Sequence, residues 1–122
     1  MAAVSIAFAA PDNCKGQAPS QLRPIDLVHL ANQTMGDKAL ELEVLQMFAR
    51  QARSCLHEMS AGDAMAVAAA AHKLKGAAGA VGAFKVRDAA EMLESNCGDA
   101  AAMAGVGVAV IEAENFILKL CR

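Results

Sequence analysis

The residues best suited to chemistry lie in one segment, Ala71 to Phe84, which reads AHKLKGAAGAVGAF. It sets one histidine, two lysines and three glycines among alanine and other apolar side chains. A neutral imidazole is nucleophilic and can form a phosphoramidate that remains a good phosphoryl donor. A cation one helical turn away suits such a group, because the transition state of phosphoryl transfer spreads negative charge over the equatorial oxygens. His72 and Lys75 supply that pair, and Lys73, about 100° around the helix, is placed to brace the approach of an acidic partner.

The helical period also describes the ground on which the histidine stands. Lys75, Gly76, Gly79, Ala68 and Ala69 fall within about 60° of His72, and Met65 lies on the same face two turns earlier. Val67, Leu74 and Val81 fall on the opposite side. The segment predicts a helix with an apolar stripe turned inward and a histidine turned outward onto a floor of residues almost without side chains. Glycine inside a helix is destabilising and alanine would pack equally well, so Gly76 and Gly79 signal a need for room in front of the ring. His29 and His57 have no such surroundings and read as surface residues.

Four further helices must position this one. Pro24 suits the first position of a short helix, with Asp26 in its first turn, Leu27, Val28, Leu30 and Ala31 on its apolar side, and Gly36 at its end. Asp37 caps a second helix running to about Ser60, with Leu45, Phe48, Ala52, Cys55 and Met59 inward and Glu41, Arg50, Arg53 and Glu58 on other faces. Gly62 and Asp63 turn and cap the helix carrying His72, which Gly82 ends in the left-handed conformation. A fourth helix turns Val86, Ala89 or Ala90, Leu93 and Cys97 inward and Lys85, Arg87, Asp88, Glu91 and Glu94 outward, ending near Gly98. Asp99 caps a fifth, in which Met103, Val106, Val110, Ala113, Ile117 and Leu120 form the apolar stripe despite Gly105 and Gly107. These elements predict an all-α fold, an antiparallel up-down-up-down four-helix bundle with a short additional N-terminal helix. The bundle spans 23–122, and residues 1–22, which lack sustained periodicity, read as a tail.

Composition agrees with this and narrows the function. Of the 122 residues 56% are hydrophobic and only 3% aromatic, with neither Trp nor Tyr, so the excess is Ala, Leu, Val and Met. A net charge of −2 gives no basic field for nucleic acid and no polybasic segment for a membrane surface. The uncharged run from Ala100 to Ile111 falls short of the ~20 residues a bilayer requires. The apolar start, MAAVSIAFAA, has no preceding Lys or Arg to make it a secretory signal. Cys14, Cys55, Cys97 and Cys121 form no C-x-x-C pair, which argues against a zinc or redox motif and for a reducing, cytoplasmic setting. GAAGAVG at 76–82 lacks the Gly-Lys followed by Ser or Thr of a phosphate loop, so no ATP site is read here.

The run H-K-L-K-G at 72–76, followed by Gly82 and Ala83 and then by Met92-Leu93-Glu94, resembles the H-x-L-K-G-x-x-x-x-x-G-A signature of histidine phosphotransfer (HPt) domains. The resemblance implies that His72 is the phosphorylated residue, Lys75 the cation beside it, and Gly76 and Gly79 the small residues that admit the partner. It further implies traffic with receiver domains of a hybrid sensor kinase and a response regulator, with no cofactor of the chain's own and Mg²⁺ on the receiver. A monomeric phosphoryl carrier that is not an enzyme in its own right is the expectation. Ala77 and Ala78 stand where the family often has Ser, and their helical angles imply altered packing rather than lost chemistry.

Two other readings compete. The Ala and Gly floor with Met65 would also serve a helical protein-interaction module without phosphotransfer. A metal store in a bundle needs ligands such as Glu-x-x-His on facing helices, a pattern that His57 and Glu58 do not make.

Overall fold

A computed structural model describes residues 23–121, and the proposed tail at 1–22, Cys14 and Arg122 lie outside them. Five helices make up the fold: α1 (Leu27–Thr34), α2 (Lys38–Ala61), α3 (Ala64–Val81), α4 (Phe84–Ser95) and α5 (Ala100–Leu120), with no strand among the described residues. Helix α3 packs against α2 and α4, α5 packs against the same two, and α1 lies across α2 and α3. The four long helices thus close a ring around one core, with α1 over an end. Gln46 reaches Cys121 and Arg53 reaches Glu114, so as α2 advances α5 retreats, and the two run antiparallel.

The caps explain where each helix begins. Asp37, Asp63 and Asp99 sit in extended backbone and accept from the amides of Leu40, Ala66 and Ala101, satisfying donors that a helix start leaves unpaired. The start of α1 differs from the expectation: Asp26, not Pro24, marks the boundary, and its carboxylate accepts from the amides of Val28 and His29. A side-chain cap decides the boundary over the preference of proline for a first turn. The helix closes at Met35, itself left-handed with φ 54°, one residue before Gly36.

Predicted inward residues form the core. Leu45, Phe48, Ala52, Cys55 and Met59 of α2, Val67, Leu74 and Val81 of α3, Val86, Ala90 and Leu93 of α4, and Val106, Val110, Ala113 and Ile117 of α5 are all buried. Met103 and Leu120 are half-buried at the margin. Val28, assigned to the apolar side of α1, is instead exposed, and Cys97 lies beyond the end of α4 with its Sγ donating to the carbonyl of Glu94. Glu41, assigned outward, is buried, because the end of α1 covers it: the Thr34 hydroxyl lies 3.4 Å from its Oε2, and Lys38 Nζ lies 3.6 Å from its Oε1. A carboxylate so placed keeps partners for its charge.

Helix α5 also departs from the reading of its uncharged run. It is long and apolar enough to cross a membrane by length and composition, with a mean hydropathy of 1.5 over its best stretch, of which 33% is buried. Its buried residues belong to the bundle core, and its Glu114 makes a two-pronged ion pair with Arg53 at 2.7 and 2.9 Å.

The corner between α3 and α4 sets the geometry that follows. Gly82 ends α3 with φ 86°, the amide of Ala83 returns to the Ala78 carbonyl, and the amide of Asp26 donates to the Gly82 carbonyl at 2.9 Å. A Cβ on Gly82 would lie 2.9 Å from the Asp26 carbonyl oxygen and 3.3 Å from the His29 ring. Gly82→Ala is therefore expected to destabilise the bundle by about 2 kcal/mol or more, through left-handed strain and that contact, read as a lower denaturant midpoint.

Candidate functional site

His72 stands at the middle of α3, held outward because Val67, Ala71, Leu74, Ala78 and Val81 anchor the opposite side of the helix in the core. Its side chain is 70% exposed. Its Nδ1 lies 2.9 Å from Oε2 of Glu94 on α4. The other carboxylate oxygen of Glu94, Oε1, lies 2.9 Å from Nζ of Lys75. One carboxylate, only 29% exposed, thereby ties the histidine and the lysine together across the α3/α4 seam.

The arrangement assigns the proton on the ring. Glu94 is held below the usual carboxylate range, first by its hydrogen bond to Lys75 and further by that to His72, with partial desolvation opposing both. An ionised carboxylate only accepts hydrogen bonds, so Nδ1 is the nitrogen that donates. In the neutral ring the lone pair then falls on Nε2, on a side chain left open to solvent. Lys75 is pushed above its ordinary value, chiefly by the hydrogen bond from its ammonium to Glu94.

The sign of each shift sets the pH window of the cluster. The lowered Glu94 contributes above the ordinary carboxylate range and is lost as pH falls through its folded value. The raised Lys75 contributes below the ordinary lysine range and is lost as pH rises through its folded value. Between those two limits, neutral pH included, the contact of Glu94 with Lys75 keeps both charges.

The remaining residues read as site residues divide by position. Met65 is 83% exposed, Ala69 and Gly76 are exposed, and Ala68 and Gly79 are half-buried, so the floor predicted around the histidine is present on the folded surface. Lys73 does not share it, since its ammonium lies 3.3 Å from Glu58 on α2. Ala77 is half-buried and Ala78 fully buried, in keeping with sideways and inward positions. His57 is exposed, and His29 is half-buried with its ring edge-on to Phe84 at 5.2 Å.

Glu94 is the member of the site that the helical pattern missed. On α4 alone it is one of several outward charges, and its place in the Met92-Leu93-Glu94 run was the only signal. Its meeting with His72 depends on the corner, which reverses the chain ten residues after the histidine and twelve before the glutamate.

No contact among the described residues requires glycine at 76 or 79. A Cβ at Gly76 would meet nothing within 4 Å, and one at Gly79 would touch only Arg87 Cδ, at an ordinary 3.7 Å. Neither is required by packing, φ or a turn, so each carries the cost of a mid-helix glycine without an internal reason. Gly76→Ala is expected to stabilise the bundle by roughly 0.5–1 kcal/mol, raising its melting temperature by a few degrees in a thermal scan.

Compared with curated proteins and with solved structures, the chain has no match in either. A family model for the Hpt domain matches residues 43–116, a stretch holding His72, Lys75 and Glu94 and most of the four-helix ring. With a left-handed glycine corner, an exposed histidine tied to a glutamate of the next helix and that match in agreement, the chain belongs to the Hpt domain family, helical bundles that serve histidine phosphotransfer in phosphorelays.

Proposed function

We propose that His72 accepts a phosphoryl group from the aspartyl phosphate of a receiver domain in a hybrid sensor kinase and passes it to the receiver of a response regulator, in the cytoplasm. The observation that carries this reading is the Glu94 bridge, which leaves Nε2 of an exposed ring as the free nucleophile beside a cation. In the forward step the Nε2 lone pair attacks phosphorus. The bond from phosphorus to the aspartyl oxygen breaks, and its electron pair leaves on the carboxylate. The imidazole gains positive charge, which Nδ1–H shares and the Glu94 carboxylate offsets. Transfer onward reverses these changes against a second aspartate.

Lys75 supplies the mobile charge. Its ammonium rests on Glu94, within reach of a phosphoryl group at Nε2, where it would screen oxygens that bear the transition-state charge. Metal chemistry belongs to the receiver, which brings Mg²⁺ with its aspartate. Gly76, Gly79, Ala68, Ala69 and Met65 form the surface on which the receiver rests, and Lys73 braces its edge.

Incubation with a phosphorylated receiver is expected to label the protein with an acid-labile, alkali-stable phosphate, and His72→Gln to abolish the label. Labelling that survives the substitution would refute the assignment. Lys75→Ala is expected to slow transfer roughly tenfold or more in a rapid-quench assay without changing the circular dichroism of the bundle. Glu94→Ala, which frees Nδ1 and Lys75 together, is expected to slow it by a similar factor, and Glu94→Gln to retain part of the rate because its amide oxygen still accepts from Nδ1. Gly79→Leu is expected to block transfer from a receiver while leaving labelling by a small phosphoryl donor nearly intact.

A further inference from the structure

Helix α5 carries a second apolar stripe, on the side away from the core. Ala101, Ala104, Val108, Ile111, Asn115 and Leu118 alternate spacings of three and four, and all six are exposed or half-exposed, Val108 by 57%, Ile111 by 50% and Leu118 by 60%. Such spacing repeated over two and a half heptads is the pattern of a helix that packs against another helix. Within the chain this face is bordered but not covered among the described residues: Ile111, Asn115 and Leu118 line an open groove with Gln46, Ala49, Arg50 and Arg53 of α2, and α4 packs on the other flank of α5. The mean hydropathy of 1.5 with 33% buried expresses the same mismatch: the helix is more apolar than its own bundle can use.

We infer that this face binds the same face of a second copy of the chain, with the two α5 helices antiparallel about a twofold axis between Val108 and Ile111. Size matching selects the second copy and the direction. Antiparallel pairing sets Leu118 against Ala101, Asn115 against Ala104 and Ile111 against Val108, so each bulky side chain meets a small or medium one and the gap between helices stays even. Parallel pairing would set Leu118 against Leu118 at one end and Ala101 against Ala101 at the other. Charge agrees. Asp99 marks the start of α5 and Lys119 its last turn, so antiparallel packing brings an acidic end beside a basic one and opposes the two helix dipoles favourably. Asn115 faces the small Ala104 in this pairing, which leaves room for a water to satisfy its amide.

The contact is modest in size. From Ala101 to Leu118 the stripe runs roughly 26 Å, a single helix pair below the standard interface area, which fits a reversible dimer. Its place in the ring also matters. Helix α3 lies across the core from α5, since each packs on α2 and α4, so a dimer through α5 leaves both His72 faces open. Self-association replaces the monomer expected from the sequence and is independent of the phosphotransfer reading.

Sedimentation or light scattering of the full chain between ~5 and ~300 μM tests this. The mass is expected to double with concentration. Ala101→Glu and Leu118→Lys, both at exposed positions, are each expected to weaken the dimer at least tenfold while helicity stays unchanged. An equimolar mixture of the two is expected to recover a heterodimer, because the lysine introduced in one chain then faces the glutamate introduced in the other and the second contact is native. A mass that stays at one chain throughout, or single variants that associate like the wild type, would overturn the proposal. Dimers that the mixture fails to restore would overturn the antiparallel pairing. Wild-type binding to lipid vesicles, lost in Leu118→Lys without any change in protein mass, would assign the stripe to a membrane instead.

Discussion

The bridge from Glu94 to His72 and Lys75 depends on one constraint, the register in which α3 and α4 pass each other. A connection of Gly82 and Ala83 alone allows little choice of register. The left-handed glycine ends α3, the Ala83 amide closes back on Ala78, and the Asp26 amide fastens the corner from outside through the Gly82 carbonyl. Asp26 thus serves twice, its carboxylate capping α1 and its backbone holding the corner. Helix α1, at the periphery of the bundle, thereby helps to aim a histidine on the far stretch of α3.

From that register follows a division of labour between the faces of α3. Its inner face is aliphatic and alanine, with side chains short enough to bring α2 and α4 close, and this fixes the rotation of the helix. Its outer face carries a ring, a carboxylate-bound lysine and two glycines that nothing in the fold demands. Helix propensity is given up at the two glycines of the outer face and offset where the inner face closes the core. On the proposed reading the cluster supplies a nucleophile, its proton and a cation, and the leaving group and the metal come from the receiver.

Much of this was legible in the sequence, for identifiable reasons. Asp37, Asp63 and Asp99 are short-range caps, and the stripes of Leu45 to Met59 and Val106 to Ile117 follow the helical period, so both are encoded locally. The histidine with its bare floor was legible because all its members lie on one helix. What escaped required knowing how elements meet. Glu94 joined the site only through the corner register, and Glu41 was buried only because α1 ends over it. The outer stripe of α5 was hidden behind the inner one, since Ala and Val on both sides leave no polar face to mark the difference. Pro24 misled for the opposite reason: a general preference for helix starts yielded to the hydrogen bonds of Asp26 two residues on.

The central claim is that Glu94 directs the proton to Nδ1 of His72 and so reserves Nε2 for phosphorus. Nuclear magnetic resonance of histidine-labelled protein, phosphorylated from a receiver, tests it at the level of single atoms. The expected result is a protonated Nδ1 in the free protein and, after transfer, phosphorus coupled to Nε2 of His72. Phosphorus coupled to Nδ1, or a free ring protonated only at Nε2, would contradict it.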